Sequence, residues 1–458
     1  MLRGGFQPSS FKSAFSRGGL SLGRFVTVYF SLHGMLYDIH KCIIPYYIPT
    51  TADVNRQIIS MFIIFPLFLQ ANFVPTANNK SMPGRAKDER KMEGLMLKKI
   101  RLGVIGTGMA WERLHYPAIK ELGDKYEIAA LANRTVADAE NFARKIKLDL
   151  KNVYDDYMDL LKRDDLDAVD ILVPIDLNYK VSEAAAHAGK NFICEKPLAP
   201  DMEQADQFLQ LSRRTGLKIM IAENYRYNEE NNILRQLVNE GRIGDIIYFI
   251  KNNAACFPCD MSNDTYAGTE WRQHPRFPGG SFLDAALHDL AAVRHIFGDI
   301  DCVQAFGRPQ KQDFSPYMSV NSNILFKNGV IGQYTYFSSG METQKPLVGL
   351  RIFGSKGQIY LEDKTSGVIS ITYYDGKSET VSFTPERGYY NELLNFYNAL
   401  NGTESIVVTP EVEYGDVKTV FRILDSVKTR QIAYVDGSKQ NEYLEFIPVP
   451  DRIEPYLQ

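Results

Sequence analysis

The regular alternation of short apolar runs with helical segments constrains this chain more than any other feature. From Lys98 onward, runs rich in Val and Ile recur between segments whose apolar residues have helical spacing. Residues 99–105 and 191–194 are two such runs, and each leads into a turn and a helical segment. This repetition is typical of parallel strands joined by crossover helices. The sequence therefore predicts an α/β fold, with a doubly wound parallel sheet over residues 97–222.

A different pattern begins beyond Tyr248. Longer β-rich segments follow one another there, joined by Asn-Gly, Asp-Gly and Ser-Lys-Gly turns that suit hairpins. Two helical segments come later, at residues 390–400 and 412–430. The sequence thus predicts a second, α+β domain over residues 223–440, built on a large, mostly antiparallel open sheet.

The first hundred residues fit neither pattern. Residues 1–50 contain a single acidic side chain, Asp38, and residues 58–69 form an apolar run of twelve that includes Pro66. A bilayer-spanning helix needs roughly 18 to 20 apolar residues. We expect residues 1–95 to be a non-native extension, with the working protein starting at Met92 or Met96. A cleaved or transit leader and a membrane anchor are the alternatives, and we expect no stable membrane association.

The overall charge limits the class of partner. The 458 residues include 52 basic and 55 acidic side chains, which gives a formal charge of -3, and the pI is near 6.2. A chain without a basic excess is poorly suited to neutralise phosphates. We therefore expect no nucleic-acid partner.

Cysteine usage indicates a reducing compartment. The chain has five cysteines, an odd number that does not suggest a disulfide framework. We therefore predict a cytoplasmic location. Cys256 and Cys259 have C-x-x-C spacing, but a single pair is a weak signal, and we expect it to form neither a disulfide nor a metal site.

A glycine-rich turn follows the first predicted strand. Gly106 allows a tight turn, and Gly108 has no side chain to block the approach of a pyrophosphate to the backbone. Met109 then leads into a helical segment, whose unpaired N–H groups attract the anion. The position of a third glycine is taken by Trp111. Gly106, Gly108 and Met109 are therefore predicted to bind a dinucleotide.

The end of the second predicted strand bears on the choice of cofactor. Asn133 and Arg134 stand there, where an acidic residue would contact the ribose hydroxyls of NAD. A guanidinium binds a 2′-phosphate well, and no carboxylate is present to repel it. We therefore expect NADP in preference to NAD. Stacking of Arg134 on adenine, or its exposure to solvent, are the alternatives.

Two further groups of residues suggest proton chemistry. Glu195, Lys196 and Pro197 follow a buried strand, at the sheet edge where ligands bind in open α/β folds. Much later, Asp284 and His288 are four residues apart, a spacing that puts both on one face of an α-helix. A carboxylate beside an imidazole fixes its tautomer and basicity, so we expect Asp284 to orient His288. With no third ligand nearby, we predict no metal site.

Taken in order, the Gly-x-Gly turn, the Glu-Lys-Pro tripeptide and the Gly-Gly-x-x-x-Asp-x-x-x-His segment resemble the glucose–fructose oxidoreductase / inositol dehydrogenase / rhizopine-catabolism (Gfo/Idh/MocA) family. The resemblance covers residues 97 to about 435. It implies a Rossmann domain followed by an α/β domain whose open sheet often forms oligomer interfaces, so a homodimer or homotetramer is expected. It also implies oxidation or reduction of a secondary alcohol on a sugar, cyclitol or related polyol with NAD(P). Lys196, Asp284 and His288 take the places of the family's catalytic residues.

The resemblance also marks residues around the cofactor and the substrate. After the strand that ends near Val173, the family's Thr-Pro-Asn-x-x-His is replaced by a sequence that keeps Pro174 and has Asn178 in place of His. We expect Pro174, Asn178 and Glu195 to contact the cofactor. Trp271 and Arg272 fit the family and are expected to line the substrate pocket.

The expected mechanism is direct hydride transfer at a carbinol carbon. His288 removes the hydroxyl proton while Lys196 holds the same oxygen, although these two roles are interchangeable. Tyr225 and Arg226, just past the predicted domain junction, are further candidates for substrate contact. Two alternatives remain: a dinucleotide-binding sensor without turnover, and a reductase of a non-sugar substrate such as a dihydrodiol or a linear tetrapyrrole.

Overall fold

Six parallel strands form the first sheet, in the order β3-β2-β1-β4-β5-β6. The computed structural model describes residues 97–338 and 349–437. Every residue of β4 and of β6 is buried, as expected for strands that helices cover on both faces. The strands are β1 (Ile100–Ile105), β2 (Tyr126–Ala132), β3 (Val153–Tyr154), β4 (Ala168–Ile171), β5 (Asn191–Glu195) and β6 (Ile219–Ala222).

Helices connect these strands, and their ends follow the local sequence. The longest of them starts after Asp201, whose side chain accepts a hydrogen bond from the Gln204 N–H at 2.8 Å, and ends at Gly216 in the left-handed conformation. The helices are α1 (Tyr116–Glu121), α2 (Val136–Ile146), α3 (Tyr157–Leu161), α4 (Asn178–His187) and α5 (Met202–Thr215). The doubly wound parallel sheet expected from the sequence is confirmed.

Nine strands form the second sheet, in the order β14-β13-β12-β11-β7-β10-β9-β8-β15. All neighbours are antiparallel except β7 and β10, which run parallel at the centre. The predicted open, mostly antiparallel sheet is confirmed, and it contains one parallel pair that was not predicted. The strands are β7 (Ile246–Ala254), β8 (Ile300–Pro309), β9 (Tyr317–Phe326), β10 (Ile331–Phe337), β11 (Gly349–Gly354), β12 (Gly357–Leu361), β13 (Val368–Tyr373), β14 (Ser378–Ser382) and β15 (Ala433–Tyr434).

The remaining helices join the two sheets into one unit. They are α6 (Glu229–Asn239), α7 (Phe257–Asp260), α8 (Glu270–Gln273), α9 (Leu287–Phe297), α10 (Gly388–Leu400) and α11 (Pro410–Thr429). Helix α11 contacts β8 of the second sheet and α5 of the first, and α10 contacts α1. The hydroxyl of Tyr126 in β2 donates to the carbonyl of Leu393 in α10 at 2.6 Å. The late helices therefore belong to the packing of both sheets.

The strand order fixes where a ligand can enter. The chain moves from β1 outward to β3 and then returns to β4 on the other side of β1. In open α/β sheets a crevice opens at such a reversal, outside the carboxyl ends of the strands. Gly106 follows β1, Glu195 ends β5 and Glu223 follows β6, so these residues lie along that edge.

The prediction for residues 1–95, including the apolar run at residues 58–69, lies outside the described residues. Within residues 97–338 and 349–437, no helix has both the length and the apolar character needed to cross a membrane.

Candidate active site

The turn after β1 is shaped for a close approach to the backbone. Gly106 has a φ of 100°, and a Cβ there would lie 2.1 Å from the carbonyl oxygen of Leu172, so only glycine fits. Gly108 is exposed, and a Cβ there would meet no atom within 4 Å. The hydroxyl of Thr107 is buried without a hydrogen-bond partner among the described residues. Open space beside an unpartnered donor suits the phosphates of a dinucleotide.

The segment after this turn is a π-helix, Trp111–His115, and only then becomes α1. Trp111 occupies the position of the missing third glycine and is fully buried. Its ring packs on Tyr116 and Phe142, with centroid distances of 5.8 and 5.7 Å. Met109 is half-buried at the start of the segment. The tryptophan thus packs on the helical side and leaves the turn open.

The end of β2 lies beside the same turn. The Asn133 side chain accepts a hydrogen bond from the Thr107 N–H at 3.3 Å and donates to the Thr135 carbonyl at 3.0 Å. Arg134 is exposed, and its guanidinium has no partner in the part of the chain that the structure describes. Asn133 therefore braces the phosphate turn, and Arg134 is free to bind a ligand.

Asn178 shapes the turn that carries Lys196. Its amide nitrogen donates to the carbonyls of Glu195 and Pro197, at 2.9 and 2.7 Å, on either side of the lysine. The side chain is fully buried. The sequence analysis assigned Asn178 to the cofactor, whereas the structure gives it these backbone contacts. Pro174 is half-buried just beyond β4, on the same edge.

Asp284 holds two cations at once. The Lys196 ammonium donates to the main-chain oxygen of Asp284 at 2.6 Å and to its Oδ1 at 2.8 Å. Nε of Arg272 donates to Oδ2 at 2.7 Å. Burial alone would raise the pKa of Asp284, but the charges of Arg272 and Lys196 lower it far below its ordinary value. Asp284 is therefore an anion that fixes both side chains.

The predicted pairing of Asp284 with His288 is wrong. Nδ1 of His288 lies 2.8 Å from Oε1 of the buried Glu223. Residues Phe282–Ala286 form a π-helix, so the regular α-helical spacing assumed for Asp284 and His288 is absent. Two cations also attract the Asp284 carboxylate more strongly than a neutral imidazole would.

Glu223 is a functional candidate that the sequence analysis missed. It directly follows β6, as Glu195 ends β5, and an acidic residue at the carboxyl end of a buried strand was the available signal. Its other oxygen, Oε2, is buried without a partner among the described residues. The ring of His288 stacks on Tyr225, with centroids 4.5 Å apart and planes 19° apart. Glu223 and Tyr225 together fix the orientation of the imidazole.

The other predicted substrate residues separate into two groups. The Arg272 guanidinium lies 4.0 Å from the centroid of the Trp271 ring, so these two residues join the cluster around Asp284. Arg226 is buried instead and pairs with both carboxylate oxygens of Asp416, each at 2.7 Å from its Nη2. The prediction that Arg226 contacts substrate is therefore replaced by a structural ion pair, because its donors face a buried carboxylate.

The expectation that Cys256 and Cys259 stay unbonded is wrong, because the structure joins them in a disulfide. Neighbouring cysteines in a tight turn are close enough to bond, a local effect that counting cysteines does not detect. The cytoplasmic location, which was inferred from that count, stays a prediction. Among the described residues, no group of three or more His, Cys, Asp or Glu side chains is arranged to hold a metal ion.

A cavity of about 780 Å³ lies apart from these residues. Arg226, Arg235 and Arg294 line it, together with His295. Arg226 and Arg294 both pair with the buried Asp416, and burial lowers the pKa of His295 to about 4. Two of its three arginines are thus neutralised by a buried carboxylate, and the cavity lies away from the glycine turn after β1, so we place the active site at the Lys196 cluster.

Two family models match the chain. One, described as an oxidoreductase family with an NAD-binding Rossmann fold, matches residues 100–223, and its C-terminal alpha/beta domain counterpart matches residues 235–440. The chain belongs to the Gfo/Idh/MocA oxidoreductase family. Membership makes it an NAD(P)-dependent oxidoreductase, and the Gly106–Gly108 turn and the buried Thr107 hydroxyl fit the phosphates of that cofactor.

Relatives of this Gfo/Idh/MocA protein span most of its described length. An uncharacterized protein of Saccharomyces cerevisiae is 29% identical over 339 residues, which is 71% of this chain and 95% of the relative. A D-xylose 1-dehydrogenase (NADP(+)) of Haloferax volcanii is 26% identical over 331 residues, 71% of this chain and 95% of the relative. The crystal structure of an oxidoreductase from Thermotoga maritima superposes with a TM-score of 0.66 at 29% identity, covering 74% of this chain and 99% of that one.

Proposed function

We propose that this protein transfers a hydride between NADP and a secondary alcohol or ketone of a sugar, cyclitol or related polyol. The observation that carries the proposal is that Lys196 and His288, which come from distant parts of the chain, are held at the same edge of the first sheet. Glu195 of β5 pairs in register with Ala222 of β6, so Lys196 and Glu223, the partner of His288, follow neighbouring strand ends. An ammonium and an imidazole at one sheet edge provide the two groups that alcohol oxidation needs.

The dinucleotide supplies the hydride acceptor or donor, and the protein supplies the proton transfer. Glu223 accepts the Nδ1–H of His288, which leaves Nε2 as the acceptor atom. Nε2 has no hydrogen-bond partner among the described residues, and 19% of the histidine side chain is exposed. His288 is therefore the base that removes the hydroxyl proton in oxidation. Glu223 stabilises the imidazolium that results.

Lys196 is placed to hold the reacting oxygen. An ammonium has three N–H donors, and Asp284 accepts two of them, through its main-chain oxygen and Oδ1. One donor remains for a substrate oxygen. Because the lysine side chain is only 10% exposed, the interaction strengthens where charge develops on that oxygen.

Arg272 and Trp271 suggest a polyhydroxylated substrate. An indole offers an apolar face for the C–H side of a sugar ring, and the guanidinium adds donors for hydroxyl groups. The D-xylose dehydrogenase relative points to the same substrate class. A sensor without turnover is disfavoured, because binding alone does not require the Lys196–Asp284 and His288–Glu223 pairs.

The preference for NADP rests on Arg134. This exposed guanidinium, with no carboxylate in the described structure to neutralise it, stands at the end of β2, where the adenosine ribose of a dinucleotide lies in such sheets. An Arg134→Ala variant should lose affinity for NADPH by roughly tenfold and keep its affinity for NADH within about twofold.

The experiment that tests the proposed function is a panel of sugars and inositols incubated with NADP and, separately, with NAD. Reduction is followed by the absorbance of the reduced nicotinamide. Turnover with at least one polyol that is abolished in Lys196→Met supports the proposal. Tight dinucleotide binding without turnover of any member of the panel, or of the corresponding ketones, contradicts it.

We also propose a homodimer or homotetramer, joined through the open face of the nine-stranded sheet. Ile331 pairs in register with Tyr248, and these side chains are 54% and 39% exposed. Phe306, on the same outward face of β8, is 62% exposed. A row of exposed apolar side chains on a regular sheet is typical of an interface between subunits.

A further inference from the structure

His115 is a fully buried histidine held between two carboxylates. It ends the π-helical segment Trp111–His115 and lies against the first sheet. Its Nδ1 is 2.8 Å from Oδ2 of Asp170 in β4, and its Nε2 is 3.2 Å from Oε1 of Glu195 at the end of β5. The imidazole thus links two neighbouring strands at the edge where the cofactor binds.

The contacts of His115 determine its proton count. A neutral imidazole has one N–H, whereas both ring nitrogens of His115 face carboxylate oxygens. Only the imidazolium donates to both of them. Burial alone would lower the pKa of His115, but the adjacent charge of Asp170, together with Glu195, raises it well above its ordinary value. His115 is therefore a cation inside the sheet, next to the Lys196 turn.

Glu195 connects His115 to the backbone of Lys196. One of its oxygens faces His115, and the other, Oε2, accepts the backbone N–H of Lys196 at 3.1 Å. Only 12% of the side chain reaches the surface of the site. The contact with His115 fixes the second oxygen, so that both oxygens together keep Glu195 in one orientation.

The position of Glu195 in the sheet indicates which half of the cofactor it lies beside. The phosphate turn follows β1 and Arg134 follows β2, so the adenosine half of a dinucleotide lies toward β2. The nicotinamide half then lies on the other side of β1, toward β4 and β5. Glu195 at the end of β5 is within that half, where its free lone pairs match ribose hydroxyls.

We propose that His115 is a positioning residue for the nicotinamide half of the cofactor. It holds the Glu195 carboxylate in the orientation that accepts ribose hydroxyls and braces the backbone of Lys196. This inference rests on the proposed function as far as the identity of the ligand is concerned, but it makes its own claim, that the adenosine half binds independently of His115.

The experiment compares whole and half ligands in a His115→Gln variant. Binding of NADPH or NADH, whichever the wild-type protein prefers, is measured by titration calorimetry, alongside the matching adenosine half, 2′,5′-ADP or ADP. Glutamine has no charge and carries both side-chain N–H donors on one nitrogen, so it cannot donate to Asp170 and Glu195 as the imidazolium does, and Glu195 loses its fixed partner. We expect affinity for the whole dinucleotide to fall at least tenfold, while affinity for the adenosine half changes less than twofold. His187→Gln, at an exposed histidine of α4, is the matched control.

Two results overturn the inference: unchanged affinity for the whole dinucleotide, or an equal loss for both ligands, which indicates a general structural role. Should His115→Gln not fold, Asp170→Asn is the second variant, because it removes the other charge that holds the His115 imidazolium and leaves Glu195 in place. It too should weaken binding of the whole dinucleotide selectively, and equal or absent losses count against the inference. None of these measurements requires turnover, so failure to find a substrate affects the proposed function alone.

Discussion

At the scale of single residues, Lys196 offers the most direct test of the mechanism. Replacement of its ammonium in Lys196→Met removes the donor for the substrate oxygen, while Asp284 still pairs with Arg272. We expect kcat to fall roughly 10³-fold and the Kd for the dinucleotide to stay within about twofold. Lys180→Met, at an exposed lysine of α4, is the control. Turnover at the wild-type rate would show that another group holds the oxygen.

Glu223 is the second residue to test, because it replaces Asp284 as the partner of His288. Glu223→Gln keeps the size of the side chain but removes the negative charge that fixes the tautomer and stabilises the imidazolium. We expect kcat to fall roughly 100-fold. Steady-state kinetics measure the loss, with Glu203→Gln at an exposed glutamate as the control. Full activity in Glu223→Gln would remove this residue from the mechanism.

Glu230 connects protonation to stability. Its Oε2 is buried without a partner among the described residues, and this burial raises its pKa from 4.5 to about 7. Since the folded state binds this proton more tightly than the unfolded state, the group's contribution is complete below about pH 4.5 and is lost as pH rises through 7. The unfolding free energy of Glu230→Gln relative to wild type should therefore rise by roughly 2 kcal/mol from pH 4.5 to pH 8. Urea unfolding at both values measures the change, and equal differences at the two values would contradict it.

At the scale of elements, the turn after β1 separates folding from binding at two glycines. A Cβ at Gly106 would lie 2.1 Å from a carbonyl oxygen at a φ of 100°, so Gly106→Ala should destabilise the protein by roughly 2 to 4 kcal/mol. A Cβ at Gly108 meets no protein atom within 4 Å. Gly108→Ala should leave the unfolding free energy within about 0.5 kcal/mol of wild type and yet lower the affinity for the dinucleotide at least tenfold. Thermal unfolding and calorimetric titration distinguish the two effects.

Local sequence signals predicted most helices and strands. The features that the sequence analysis missed depend on residues that are distant in the chain. The end of α5 at Gly216 follows from one residue's conformational freedom, so it could be read directly. The parallel pairing of β7 with β10 could not, because turn residues indicate only which neighbouring strands form hairpins. The π-helical turn at Phe282–Ala286 likewise has no local pattern that separates it from an α-helix. Glu223 was missed for the same reason, since its partner is 65 residues away.

At the scale of the whole molecule, the outward face of the second sheet leads to a prediction about assembly. Replacing two exposed apolar side chains in Phe306→Lys/Ile331→Lys puts charges at the centre of the proposed interface. We expect a shift from dimer or tetramer to monomer, measured by light scattering after size-exclusion chromatography. Met158→Lys, which alters an exposed side chain of α3, is the control and should not change the mass. A wild-type monomer would contradict the proposed assembly.

The two cations that share Asp284 have an evolutionary consequence. In the proposed mechanism Arg272 lines the substrate pocket and Lys196 holds the reacting oxygen, and both pair with one anion. A substitution at position 272 that admits a new substrate also changes the field around the lysine, so substrate preference and turnover cannot drift independently. Natural variation at these two positions should show strong epistasis, and laboratory selection for altered specificity should find compensating changes around residue 284 before it finds single-step solutions.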